Sequence, residues 1–322
     1  MINYTLPSPS PMNAGEEYYG TDNGTVLSNN SFTDNVSRLT LGRFIRLYIC
    51  FLISIFGLLE NGTVIWLLGF CIKRTPSTTY ILNLSIADFG LLTVVLINRM
   101  CFIVGKYFTY LEDYMLKLIF LFMYITGQFL LTAISIDRCV AVLFPLWHRC
   151  HRPPNMSTAV CASIWGLSTI PLAINFTLLL ADFNLSNILG IQFIVSGFLC
   201  LPLMTITTLI LFVRVCFKSH QRRRGKLLII VLLALFFFII FSFPLNAVFI
   251  TLFVLDSGLH FFSKYAFILT CLNSSVNPLI YFLVGRQKRG RCRQSMKAIF
   301  QNVFKEDENP AETGEISLET QL

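Results

Sequence analysis

Asp137 and Arg138 stand side by side at the end of a stretch, Leu118 to Ile136, that carries no charged residue. An arginine where hydrocarbon meets water keeps its charge only if it snorkels to the surface or is paired. Asp137 offers that pair. The two can form a latch with two states, one closed on the neighbouring carboxylate and one released toward the aqueous side. A second polar set lies deeper in apolar sequence. Asn61 sits in Glu60-Asn61-Gly62, Asp88 is the only acid in its apolar stretch, and Asn273 and Asn277 flank Ser274-Ser275-Val276. Asn273 and Asn277 are one helical turn apart and share a face. A carboxylate buried among apolar residues must be neutral, paired or metal-bound. With Asn61, these oxygens could line one cavity suited to a hard cation or ordered water. Enzyme chemistry has no comparable support. There is no nucleophile–His pair and no metal-spaced His cluster, and the chain has only 4 His.

The elements that hold these groups must cross a membrane. The 322 residues are 55% hydrophobic and 13% charged, more apolar surface than a soluble domain can hide. Seven stretches reach the roughly 20 apolar residues that a spanning helix needs. They run near Phe44–Cys71, Tyr80–Val104, Leu116–Ile136, Ser157–Leu180, Leu189–Phe217, Leu227–Leu255 and Phe262–Val284. The expected fold class is an all-α membrane protein, a seven-transmembrane helix bundle. Most of the 25 Lys and Arg fall after spans one, three, five and seven. Positive charge stays in the cytoplasm, so the N-terminus is expected outside and the C-terminus inside. The net charge of +8 is then a topology signal and does not point to nucleic acid.

Four regions follow. Residues 1–43 are polar and read as a disordered extracellular segment with glycosylation sequons at Asn3, Asn23, Asn29 and Asn35. Sequons at Asn61, Asn83 and Asn273 lie within spans, where no sugar fits. Residues 44–285 form the bundle. Residues 286–304 read as a basic amphipathic helix on the inner leaflet, with Cys292 either palmitoylated or an ordinary thiol. Residues 305–322 form an acidic tail whose end, Thr320 to Leu322, suits a PDZ groove. Between spans three and four, Val140–His148 is mostly apolar, either a docking surface for a cytoplasmic partner or packing on the bundle floor. Pro202 and Pro244 sit mid-span and can bend spans five and six, as moving hinges or as static kinks. The ten cysteines give no clear disulfide framework.

Asn61, Asp88, Asp137-Arg138, Trp165, Pro202, Pro244 and Asn277-Pro278-Leu279-Ile280-Tyr281, in this order, resemble rhodopsin-class G-protein-coupled receptors. Glu60-Asn61-Gly62, Leu84-Ser85-Ile86-Ala87-Asp88, Cys139 in place of the usual tyrosine, Arg149-Cys150-His151-Arg152-Pro153 and Phe282-Leu283-Val284-Gly285 resemble the Mas and Mas-related receptors. The resemblance implies a plasma-membrane receptor, no enzyme, whose Arg138 meets a heterotrimeric G protein while Asp137 restrains it at rest. It implies that Tyr281 rotates inward on activation, that Pro202, Pro244 and Pro278 are hinges, and that Asn61, Asp88, Asn273 and Asn277 form a cavity that can hold sodium. Arrestin is an implied further partner.

Departures narrow the ligand. Ser242 replaces the usual tryptophan of span six, Gly127 replaces a hydroxyl of the sodium shell, and Phe120 stands where amine receptors carry an acid. Asn175 and Gly190 replace the two carboxylates by which some Mas-related receptors hold cations. The expected pocket comprises Arg99, Lys117, Phe120, Tyr124, Asn175 and Asp182, and the mixed charges around it favour a peptide presenting a carboxylate. The alternatives are a receptor that signals without a ligand or serves as a heteromer partner, and a channel or transporter. Against the last, the halves of the chain show no repeat.

Overall fold

The computed structural model describes residues 28–217 except 107, 154 and 182–185, positions 232, 233, 236, 237, 239–241, 244 and 246–248, and residues 260–285. The chain divides into two units, Met1–Phe44 and Ile45–Leu322. Among the described residues every regular element is helical. They are α1 (Ser28–Trp66), which ends in a π-helical turn Leu67–Cys71, α2 (Pro76–Ile103), α3 (Tyr110–Leu143) and the short α4 (Pro145–Cys150). Then come α5 (Met156–Leu180), α6 (Ser186–Phe217), the apolar segment α7 (Ile239–Val248) and α8 (His260–Gly285). Among the described residues five helices are long and apolar enough to cross a membrane, and α7 and the Phe267–Ile280 part of α8 are shorter apolar helices.

Local chemistry sets the boundaries. Thr75 caps α2 through a capping box with Thr78, and Pro76 occupies the first turn, where its missing N–H costs nothing. Gly105, at φ 73°, turns the chain after α2 in a conformation glycine tolerates best. Thr109 and Glu112 form the reciprocal box that starts α3. Phe144 and Pro145 stop α3 and begin α4 at once. One expectation is corrected: α1 starts at Ser28, so helix replaces the expected disorder over Ser28–Arg43. No proline interrupts that stretch, and a helix already nucleated extends cheaply. Asn29 and Asn35 therefore fall on α1. Asn3, Asn23, Asp182, Ser242, Cys292, the segment 286–304 and Thr320–Leu322 lie outside the described residues.

The second unit has the polarity of a membrane protein. Its interior holds Ser54, Asn61, Asp88, Gln128, Ser135, Asn273, Ser274 and Asn277, while Ile170, Ile174, Phe198, Ile206 and Phe212 face outward. In hydrocarbon, polar groups must find partners inside the bundle and apolar ones need no shelter. α3 is the axis, packed on α2, α5 and α6. Gly57 on α1 allows close approach: a Cβ there would collide with Ser275 on α8 and Leu92 on α2. Cys50, Cys71, Cys101, Cys139, Cys150, Cys161, Cys200 and Cys271 are free.

Candidate functional site

At one end of α3 the latch is closed. Asp137 Oδ2 accepts hydrogen bonds from Arg138 Nη2 at 2.6 Å and Nε at 3.2 Å. Arg138 Nη2 also donates to Ser77 Oγ on α2 at 2.9 Å. The other carboxylate oxygen, Oδ1, lies 2.8 Å from Arg152 Nη2. Arg152 in turn donates to Ser157 Oγ at 2.6 Å and contacts His148 Nε2 at 2.6 Å. A guanidinium only donates, so that contact assigns Nε2 the acceptor role. His148 Nε2 also lies 3.6 Å from Asp137 Oδ1. One carboxylate thus serves two guanidinium groups, and all three side chains are less than a tenth exposed. Such a buried cluster holds firmly only while each charge keeps its partner.

The deeper polar set converges in part. Asn277 Nδ2 donates to Asp88 Oδ2 at 2.9 Å, and Ser274 also bonds Asp88. Asn61 Nδ2 bridges the carbonyls of Gly57, 2.9 Å, and Ser274, 3.0 Å, tying α1 to α8. Ser275 Oγ adds a bond to the Ile53 carbonyl at 3.3 Å. Asn61 Oδ1 and Asn273 Oδ1 are buried with no donor, and space is open beside Gly127. Orphaned amide oxygens near a carboxylate are the donor type that a hard cation or ordered water satisfies.

Toward the other end of the bundle the aromatic residues stack. Phe120 and Tyr124 are parallel with centroids 6.1 Å apart, and Phe120 meets Phe267 of α8 at 5.3 Å. Asn246 of α7 donates to Tyr124 OH at 3.0 Å. Asn83 accepts from Trp165 at 3.0 Å, joining α2 to α5.

Comparison with known proteins decides what this arrangement belongs to. The family described as 7 transmembrane receptor (rhodopsin family) matches residues 60–281. Rat Mas-related G-protein coupled receptor member H is 40% identical over 270 residues, covering 81% of this chain and 83% of that protein. Its mouse counterpart is 38% identical over 294 residues, 89% of this chain and 88% of that protein. The rat protein named Proto-oncogene Mas is 33% identical over 271 residues, 80% and 83%. The chain belongs to the Mas and Mas-related branch of the rhodopsin receptor family. It is a G-protein-coupled receptor, a multi-pass membrane protein of the seven-helix fold, and not an enzyme.

In this Mas-related receptor the sequence-derived sites divide by fate. Asp137 with Arg138, and Asp88 with Asn277, come together. Asn61 bonds α8 through the Ser274 carbonyl, and Tyr281 falls on α8. Pro202 and Pro278 lie within unbroken α6 and α8, and Pro244 is helical in α7. Two expected pocket residues have side-chain partners of their own. Asn175 is fully buried, accepting from Tyr114 OH at 3.3 Å and donating to the Pro171 carbonyl at 2.7 Å, so both ends of its amide are used inside the bundle. Lys117 pairs with Asp113 one turn away at 2.6 Å on an exposed helix face. Sequence reasoning missed Ser77, His148 and Arg152. Arg152 was legible as a loop charge and as part of a motif shared with the Mas-related receptors, but nothing in its spacing says that the chain after α4 brings it back onto Asp137.

Gln128 was also missed. It is 2% exposed, and both its amide oxygen and nitrogen lack partners. A buried amide left unmade costs about 1–3 kcal/mol, whereas an apolar group of the same shape costs little. Gln128→Met is therefore expected to raise the thermal unfolding midpoint of the purified receptor, read by tryptophan fluorescence or a thiol-reactive dye.

Proposed function

We propose that this receptor sits in the plasma membrane with its N-terminus outside and transmits the binding of an extracellular peptide to a heterotrimeric G protein. The cluster of Asp137, Arg138 and Arg152 carries the reading. At rest Asp137 holds Arg138 against Ser77. A ligand that binds the open arrangement better shifts the population toward it. The ends of α6 and α7 near the latch part, and Arg138 turns to the G protein. Arg152 gives the released Asp137 a remaining partner, so opening does not strand a buried carboxylate. Phe144, Leu146 and Trp147 beside the latch are exposed and offer an apolar face for the G protein, which supports the docking reading of this loop over floor packing. Asp88, with the orphan oxygens of Asn61 and Asn273, would hold a sodium ion in the resting state. The ion would balance the Asp88 charge there.

The test is second-messenger output in cells expressing the receptor, challenged with a peptide library, in wild type and Arg138→Ala at equal surface level. The substitution should abolish both ligand-free and peptide-driven output. Output that survives it unchanged would sink the mechanism.

A further inference from the structure

Two guanidinium groups lie toward the end of the bundle remote from Asp137, and neither has a carboxylate partner among the described residues. Their position follows from the helix seam. Gly57 of α1, Leu92 of α2 and Ser275 of α8 meet at one level. α1 and α2 are antiparallel, so two turns further along, Cys50 faces Arg99. The Cys50 thiol does contact both Arg99 and Cys271 of α8. One turn beyond Cys50, Arg46 donates to Tyr265 OH at 3.4 Å, and its guanidinium carbon lies 5.5 Å from the centre of that ring. Arg46 is thus held by an aromatic ring and a phenol, and neither balances its charge.

Arg99 is half-buried, and its Nε is shielded from solvent with no acceptor. A guanidinium in that state is left short of the partner its geometry fits best, a carboxylate that takes two parallel N–H bonds. Beside it lies an apolar floor. Cys271 packs in one cluster with Phe120, Tyr124 and Phe267, on the α3 side and not on the lipid side. Positive charge against an aromatic floor inside the bundle selects an acid with an apolar body.

We propose that Arg99, assisted by Arg46, anchors the carboxylate of the extracellular peptide, with the adjoining apolar side chain resting on Phe120 and Phe267. This deepens the receptor reading above and rests on it for the sidedness of the site. Arg99 and Phe120 of the expected pocket are kept and Arg46 and Phe267 are added, while Lys117 and Asn175 have side-chain partners of their own.

The experiment uses the full-length receptor in phosphatidylcholine nanodiscs and reads thermal stabilisation by N-acetylphenylalanine and by its uncharged amide. The acid should act at a concentration about tenfold lower than the amide, the value of one charge-assisted contact. Arg99→Gln should erase that preference, Arg99→Lys should keep part of it, and Arg46→Gln should weaken it. If Arg99→Gln does not fold, a reduced preference in Arg46→Gln, together with an equal weakening of acid and amide in Phe267→Ala, carries the test. Equal action of acid and amide, or an acid preference that survives in the Gln variants, overturns the proposal. So does stabilisation by phosphatidylglycerol in the disc that displaces the acid, because the site would then hold a lipid headgroup. The readout involves no G protein, so failure of signalling in the Arg138 experiment and failure here are separate results.

Discussion

Asp137→Asn is expected to raise ligand-free nucleotide exchange on the G protein about tenfold or more, and Arg152→Ala is expected to lower it. The first follows from where the loss falls. In the closed state Asp137 is the carboxylate that pairs with Arg138 and Arg152 among the described residues, at 2.6 Å and 2.8 Å. Removing its charge leaves two buried guanidinium groups facing each other, and breaking a buried pair costs about 3–5 kcal/mol. The open state, with Arg138 turned to water or to the G protein, loses little. Each 1.4 kcal/mol of difference is about tenfold in population, so the gain is limited by how closed the resting receptor is. The second effect has the opposite sign. With Arg152 present, Asp137 keeps a partner when Arg138 leaves. Without it, Asp137 has Arg138 alone and release strands a buried charge. Exchange of a labelled guanine nucleotide in membranes, at matched receptor density, gives both numbers. A rise in Arg152→Ala would show that Arg152 acts only as a lock and does not share the carboxylate.

Gly57→Val is expected to cost the fold about 1–3 kcal/mol or more, the range for overpacking a filled contact. The added carbons would run into Ser275 and Leu92, where α1, α2 and α8 are closest. The bonds from Asn61 to Ser274 and from Ser275 to Ile53 lie at that crossing and would stretch with it. Two controls grade the result. Gly90→Ala would meet only the flexible end of Met123, and Gly166→Ala would meet nothing within 4 Å. Thermal unfolding should rank Gly57→Val as much the least stable, with Gly90→Ala mildly affected and Gly166→Ala neutral or better. The same ranking should appear in cell-surface level. Because Arg46 and Arg99 stand on α1 and α2, which meet at Gly57, Gly57→Val should also weaken the acid preference of the far end without touching it.

How much of the site was legible depended on distance along the chain. Asp137 and Arg138 are neighbours, so their pairing needed only the membrane boundary. Asn273 and Asn277 share a face by helical spacing, and the cost of a buried carboxylate pointed Asp88 toward them. Asn175 looked like a pocket residue by its place in the chain, yet it bonds Tyr114 and Pro171. Gln128 gave no signal, since a polar residue in a span can face a partner or nothing.

Sequence alone determined the class of the molecule: a polytopic helical protein whose charges sit at its ends and whose few interior polar groups recur in one receptor family. Hydrocarbon thickness imposes segment length, and the penalty for unpaired charge restricts where acids and arginines can stand. Both constraints act along a single segment and can be read there. Tertiary structure decided that Arg152 shares Asp137, that Ser77 receives Arg138, that Asn175 is spent internally, and that Arg46 meets Tyr265 of α8. Those contacts depend on how each helix is rotated and how closely two helices cross. Rotation and approach are set by small residues such as Gly57 against partners distant in the chain, and no single segment carries that information.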